Sequence, residues 1–257
     1  MATFLFDKII FGPVQSRRMG VSLGVNLLPK TIKYCNYNCI YCECGFTPES
    51  TKNIVAELPT RTEVKETLIE WFLTTQTTPD ALTFAGNGEP TIHPDFALII
   101  DDVIDIRNTY CPNAEIVVLT NATMMHKEKI MKALQKVDRC MFKLDSAIDS
   151  SRNTINKPGT EHSLSYFINH MSKFEGKRII QTLFIKGIYE GQEFDNTTDE
   201  EINALISAYT QINPHEVIVY STQRDTPIDS IEQISQERLI QIAEKIKQSG
   251  IPVSVSS

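Results

Sequence analysis

Lys33-Tyr34-Cys35-Asn36-Tyr37-Asn38-Cys39-Ile40-Tyr41-Cys42 follows an apolar run, Val21 to Leu28, that reads as a β-strand. Three cysteines at C-x3-C-x2-C spacing crowd onto one loop. Three thiolates can hold three irons of a cubane 4Fe-4S cluster, where full protein ligation takes four, so one iron would stay open to an outside ligand. The competing reading is a zinc site, with Cys44 in Cys42-Glu43-Cys44 as fourth thiolate. Structural zinc sites usually pair two short cysteine knuckles about a dozen or more residues apart. This chain has one crowded window and no second knuckle, and the three-cysteine pattern is complete without Cys44.

Outward from that loop, short β-branched runs alternate with longer amphipathic runs, the pattern of repeated βα units around a parallel sheet. Helices are expected at about 60–75, 96–108, 127–136, 163–174, 199–209 and 235–248. Strands are expected at 81–85, 115–120, 139–144, 178–185 and 216–221, and residues 187–198 read as a long polar loop. Parallel strands present their carboxyl ends on one rim, where sites in such folds gather. The fold class is therefore α/β, with one domain over residues 1–257 and residues 1–20 as an extension packed on the sheet.

The 257 residues are 41% hydrophobic, which excludes a disordered or collagen-like chain. With 25 Lys and Arg against 32 Asp and Glu, the formal charge of -7 gives no overall attraction to phosphate backbones or anionic lipid. A nucleic-acid partner would need a local basic patch, for which Arg17, Arg18, Lys30 and Lys33 are the candidates. No apolar run approaches the roughly 20 residues that cross a bilayer, and no leader pattern is visible. The expected setting is a soluble, cytoplasmic protein with no membrane partner. Six cysteines, three of them in the loop, fit a ligand cluster in a reducing compartment better than a disulfide framework.

Other rim positions carry chemistry. Ala85-Gly86-Asn87-Gly88-Glu89-Pro90 closes the second strand, with two glycines that allow a sharp bend and close approach to a ligand, and an acid that can bond an ammonium. Asn121 projects at the end of the third strand, either as a ligand contact or as the N-cap of the next helix. On the fourth strand Met141, Lys143 and Asp145 share the inner face. Lys143 and Asp145 are then either a mutual salt bridge or candidate catalytic groups. Cys140, on the outer face, reads as a buried structural thiol, and Cys111 lies toward the opposite rim. Arg224 is a further candidate, as a carboxylate or phosphate clamp or as a surface ion pair.

The cysteine spacing, with Tyr41 before the last cysteine, resembles the signature of the radical S-adenosylmethionine (SAM) superfamily. That resemblance implies a partial (β/α)6 barrel and a 4Fe-4S cluster on Cys35, Cys39 and Cys42, with SAM chelating the open iron. SAM would be cleaved reductively to methionine and a 5'-deoxyadenosyl radical that abstracts hydrogen from substrate. It places Tyr41 near the adenine and gives the Gly86, Asn87, Gly88 and Glu89 turn, with Asn87 as a departure, to the amino group of SAM; Asn121 and Lys143 are further cofactor contacts. An external electron donor of flavodoxin or ferredoxin type is implied. Within the superfamily, Phe11 to Arg18 with Ser22 to Val25, Ile155-Asn156-Lys157-Pro158 and Glu216 to Arg224 resemble the branch related to the tRNA wyosine-base synthase. A tRNA base is thus a candidate substrate, although this chain lacks cysteines before Cys35 for that synthase's second cluster. Lys33, Lys143 and Lys186 are candidates for an imine with a carbonyl co-substrate. The rival readings are a peptide-modifying or glycyl-radical-activating enzyme and a zinc-stabilised, non-enzymatic module.

Overall fold

The computed structural model describes residues 4–16, 18–49, 57–223 and 226–256. Its strands are β1 (Ile10–Ser16), β2 (Gly20–Val25), β3 (Ala81–Phe84), β4 (Glu115–Thr120), β5 (Arg139–Lys143), β6 (Arg178–Leu183), β7 (Ile185–Tyr189), β8 (Gln192–Asp195), β9 (Glu216–Tyr220), β10 (Ile231–Gln233) and β11 (Val253–Ser256). Its helices are α1 (Arg61–Thr74), α2 (Phe96–Tyr110), α3 (Glu128–Leu134), α4 (Asp149–Asn156), α5 (Leu164–Ser172), α6 (Asp199–Ile212) and α7 (Gln236–Gln248).

Eight strands form one curled sheet in the order β1-β2-β3-β4-β5-β6-β9-β11. From β2 to β11 every pairing is parallel, and β1 runs antiparallel on the β2 edge. This is the expected partial barrel of βα units, with β11 as an additional parallel strand. The helices cover the outer face, where Cys140, Phe142, Ile116 and Val118 join a large core with Phe96, Ile100 and Leu205. Inside the curl a small apolar plug of Ala81, Val117, Met141, Ile179 and Ile218 fills the space below the rim. Cys140 is buried, as expected of a structural thiol, and Cys111 is buried as well.

Local chemistry sets the helix starts. Thr60 caps α1 through the Glu63 amide, and the Glu63 carboxylate accepts from the Thr60 backbone in return. Thr198 and Ser235 cap α6 and α7 by the same hydroxyl-to-amide bond.

Two expectations are corrected. Residues 10–16, expected to lie on the sheet as part of an extension, are a strand of it; Pro13, which donates no backbone bond, is tolerated because β1 is an edge. The expected polar loop at 187–198 holds a hairpin of β7 and β8, which β10 joins to make a three-stranded sheet. Its turn is Glu190-Gly191, both with positive φ. Helix α4, between β5 and α5, was not expected. Among the described residues no helix is long and apolar enough to cross a membrane.

Candidate active site

The cysteine loop leaves β2 and is held on two sides by backbone bonds. On one side the Tyr34 amide donates to the Asn87 carbonyl at 2.8 Å and the Glu89 amide to the Tyr34 carbonyl at 3.3 Å. On the other, Asn38 donates to the Asn156 carbonyl (3.1 Å), Ile40 to Ile155 (3.0 Å), and Gly159 to Asn36 (2.7 Å). The loop is thereby suspended between the turn after β3 and the end of α4.

Cys35, Cys39 and Cys42 line one cavity of about 220 Å³ above the apolar plug. Gly86, Gly88, Glu89, Asn121, Tyr41 and Lys143 line it too. Cys44 does not; it faces an adjoining depression, where its thiol donates to the Gly86 carbonyl at 3.6 Å. Lys33 is buried beside all three thiols, its ammonium bonded to the Gly45 carbonyl at 2.9 Å and to Cys42. Among the described residues no carboxylate pairs with Lys33, so its counter-charge has to come from the sulfurs. Interaction with the neighbouring Cys44 draws the Cys42 thiol below its ordinary value against burial, with Lys33 adding to the effect.

These features fit an anionic iron–sulfur cluster: three cysteine sulfurs on one wall, a buried cation beside them, and open space in front.

In the glycine turn, a Cβ on Gly88 would sit 1.9 Å from the Tyr34 carbonyl oxygen, and Gly88 has a φ of 146° that side-chain-bearing residues rarely adopt. Only glycine lets the turn pair with the cysteine loop. Glu89 is buried and saturated: its carboxylate accepts from the Thr91 amide (3.1 Å), the Thr91 hydroxyl, the Thr120 hydroxyl (2.7 Å) and the Asn121 amide (2.7 Å). Burial pushes it above the usual carboxylate range, while the bonds from Asn121, Thr91 and Thr120 oppose that rise. Asn87, expected as a cofactor contact, turns its side chain away from the cavity and bonds both backbone groups of Phe6 and the Pro29 carbonyl. It anchors the N-terminal segment.

Asn121 is not a helix cap, because α3 begins only at Glu128. Its oxygen accepts from the Thr123 amide and hydroxyl, and its nitrogen donates to Asn36 at 2.7 Å and toward the Cys35 sulfur at 3.8 Å. Lys143 donates to the Tyr41 hydroxyl at 2.8 Å and stands 3.6 Å from Asp145, so the expected ion pair exists. Asp145 is itself fully buried and accepts from the Tyr41 hydroxyl, Asn156 (2.6 Å) and the Leu183 amide (2.9 Å), which leaves it a framework group beneath the cavity.

Of the imine candidates, Lys33 and Lys143 line the cavity, while Lys186 pairs with Glu232 at 3.0 Å in the small sheet. The proposed basic patch does not form as expected: Lys33 is buried, Lys30 borders a separate depression with Glu57 and Glu63, and Arg18 stacks on Tyr220. Arg17 and Arg224 lie outside the described residues. The sequence did not single out Asn156 as a site residue. Its signal was present in Ile155-Asn156-Lys157-Pro158, but no local pattern ties those residues to the cysteine loop.

The family model described as the radical SAM superfamily matches residues 30–193. The chain belongs to the radical SAM superfamily. Members of the superfamily are enzymes that cleave SAM reductively with an iron–sulfur cluster. A UPF0026 protein of Helicobacter pylori J99 is 32% identical over 186 residues, covering 70% of this chain and 57% of that protein. A protein of Brachyspira hyodysenteriae named GTPase Obg is 28% identical over 91% of this chain. The chain spans 33% and 57% of these two relatives. Among solved structures, a radical SAM methyltransferase from Sphaerobacter thermophilus superposes with a TM-score of 0.67 at 15% identity, covering 91% of this chain and 65% of that one. TYW1 with a lysine-pyruvate adduct bound superposes at 0.58 with 13% identity, covering 88% and 73%. At these identities the superpositions carry the fold alone.

Proposed function

We propose that this radical SAM protein holds a 4Fe-4S cluster on Cys35, Cys39 and Cys42 and binds SAM between that cluster and the strand ends. The observation that carries the reading is the convergence of those three cysteines, with the buried Lys33 ammonium, on the cavity that Gly86, Gly88, Glu89 and Asn121 close from the other side. When bound, cluster and SAM together supply an electron and a 5'-deoxyadenosyl radical that takes hydrogen from substrate. The chain's part is placement. Lys33 offsets the negative charge of the sulfurs, Gly86 and Gly88 admit the cofactor close to backbone, and Glu89 and Asn121 fix the wall it rests on. Tyr41 is locked by Asp145 and Lys143 at the cavity floor.

The substrate enters from an adjoining depression of about 600 Å³ that shares Tyr41, Cys42, Gly86, Lys143 and Tyr220 with the cofactor cavity. It is open enough for an unstacked nucleobase, and Arg18 and Lys143 border it. A tRNA base is therefore the substrate we favour, with a flavodoxin or ferredoxin as external reductant; a peptide or a glycyl-radical enzyme is the rival.

Reconstitution with iron and sulfide under anaerobic conditions, addition of SAM and dithionite, and mass spectrometry of 5'-deoxyadenosine test the reading. Product is expected from wild type, increased by total tRNA in low salt and less so in high salt, and absent from Cys39→Ala. A wild-type protein that assembles no cluster, or yields no 5'-deoxyadenosine with any substrate class, overturns it. Stimulation by peptide and not by tRNA overturns the substrate.

A further inference from the structure

Two of the cavity cysteines receive a hydrogen bond from a side chain on a distant part of the chain. Asn121, just past β4, points its amide at Cys35 across 3.8 Å, and Asn156, at the end of α4, points its amide at Cys39 across 3.5 Å. We propose that Asn156 is a positioning residue that sets the reduction potential of the cluster through the sulfur of Cys39, without touching SAM or substrate. This rests on the cluster assignment made under the proposed function.

The Asn156 geometry admits one orientation. Its side chain is buried, and the Asp145 carboxylate 2.6 Å from Nδ2 offers only acceptors, so the amide nitrogen and not the oxygen must face Asp145. Of the two hydrogens on that nitrogen, one serves Asp145. The other is left for the Cys39 sulfur at 3.5 Å and the Tyr41 hydroxyl at 3.4 Å. Asp145 is held in turn by the Leu183 amide at 2.9 Å and the Asn196 amide at its carbonyl, 2.8 Å. The donor is thus fixed by the β5 and β6 ends, and it lies outside the residues that line the cavity.

Donors to ligand sulfur draw electron density from the cluster and favour its reduced form, so their loss makes reduction harder. Asn156→Leu keeps the branched shape and removes the donor, and Asn156→Gln keeps a donor.

The experiment is a dye-mediated redox titration of the reconstituted protein followed by EPR, with iron and sulfide content measured first and SAM affinity measured separately. Asn156→Leu is expected to carry wild-type iron, bind SAM as wild type does and titrate at a lower potential, by a shift equivalent to about tenfold in the reduced fraction, or about 59 mV for one electron. Asn156→Gln is expected to lie nearer wild type. Asn156→Leu titrating with wild type would overturn the proposal, as would Asn156→Gln shifting as far as Asn156→Leu. A wild-type protein without cluster would instead count against the proposed function.

Discussion

Glu89→Gln tests whether the acid of the glycine turn is a framework group or only a cofactor contact. In the folded chain its carboxylate accepts four bonds, from the Thr91 and Asn121 backbone amides and the Thr91 and Thr120 hydroxyls. A glutamine amide has one accepting oxygen and one donating nitrogen. If the nitrogen replaces Oε1, both threonine hydroxyls can rotate and accept, but the Thr91 amide faces a second donor; if it replaces Oε2, the Asn121 amide does. Either way one buried backbone N–H loses its partner, at a cost of about 1–3 kcal/mol. For a chain of this size that lowers the melting temperature by about 2–12 °C. The measurement is thermal unfolding of metal-free protein under reducing, anaerobic conditions, with amide exchange at Thr91 and Asn121 as the local probe. Faster exchange at one of the two amides is expected along with the lower melting point. If Glu89→Gln melts and exchanges as wild type does and loses only SAM affinity, the carboxylate is a cofactor group and the framework reasoning is wrong.

Asn87→Ala removes three bonds, two to Phe6 and one to Pro29, and is expected to destabilise by about 1–3 kcal/mol, to speed amide exchange in residues 4–9, and to leave SAM affinity unchanged in a titration. Gly88→Ala drives a Cβ into the Tyr34 carbonyl; circular dichroism should retain its helical signal while iron and sulfide per chain fall, because the cysteine loop can no longer sit against the turn. Asp102 joins α2 to Arg61 and Lys65 of α1, and the hydrogen bond from Arg61 holds its carboxyl below the ordinary value of 3.8. Because the folded value is depressed, this stability is present above the unfolded value and is lost as pH falls through the folded one. The urea midpoint of Asp102→Asn should lie below wild type at pH 7, and the gap should close in strongly acidic buffer.

What was legible in the sequence was what short-range pattern encodes. The parallel strands are buried on both faces, so they read as apolar runs, and α1, α6 and α7 announce their starts with Thr60, Thr198 and Ser235. Strand β1 was hidden because its middle residues are exposed and it contains Gly12-Pro13, both breakers away from an edge. The β7–β8 hairpin was hidden by polar side chains, although Glu190-Gly191 is a turn signal in retrospect. At the site, the cysteines and the glycine turn stood out because their spacing is local. The Asn156–Cys39 contact spans 117 residues and the Asn121–Cys35 contact 86, and no periodicity in a single sequence reports such pairs. Asn87 misled for the same reason: its partners, Phe6 and Pro29, lie 81 and 58 residues away.

The two suspensions of the cysteine loop bear on the order in which the site assembles. A loop of this length would not hold three thiolates on one wall by itself, since fixing each residue costs about 1–2 kcal/mol of backbone entropy. Here the cost is met by bonds to Asn87 and Glu89 after β3 and to Ile155, Asn156, Lys157 and Gly159 at and just past the end of α4, segments that are in place only when β3, β4 and β5 are already side by side. The ligand wall is therefore a product of the sheet, and the chain folds before it can take up a cluster. That distinguishes it from small metal domains, in which binding free energy is folding free energy. Metal-free protein should give a cooperative unfolding transition, and loading the cluster should raise its midpoint without creating the transition. A metal-free chain that shows no cooperative transition would mean the cysteine loop organises the sheet, and the direction of dependence argued here would be reversed.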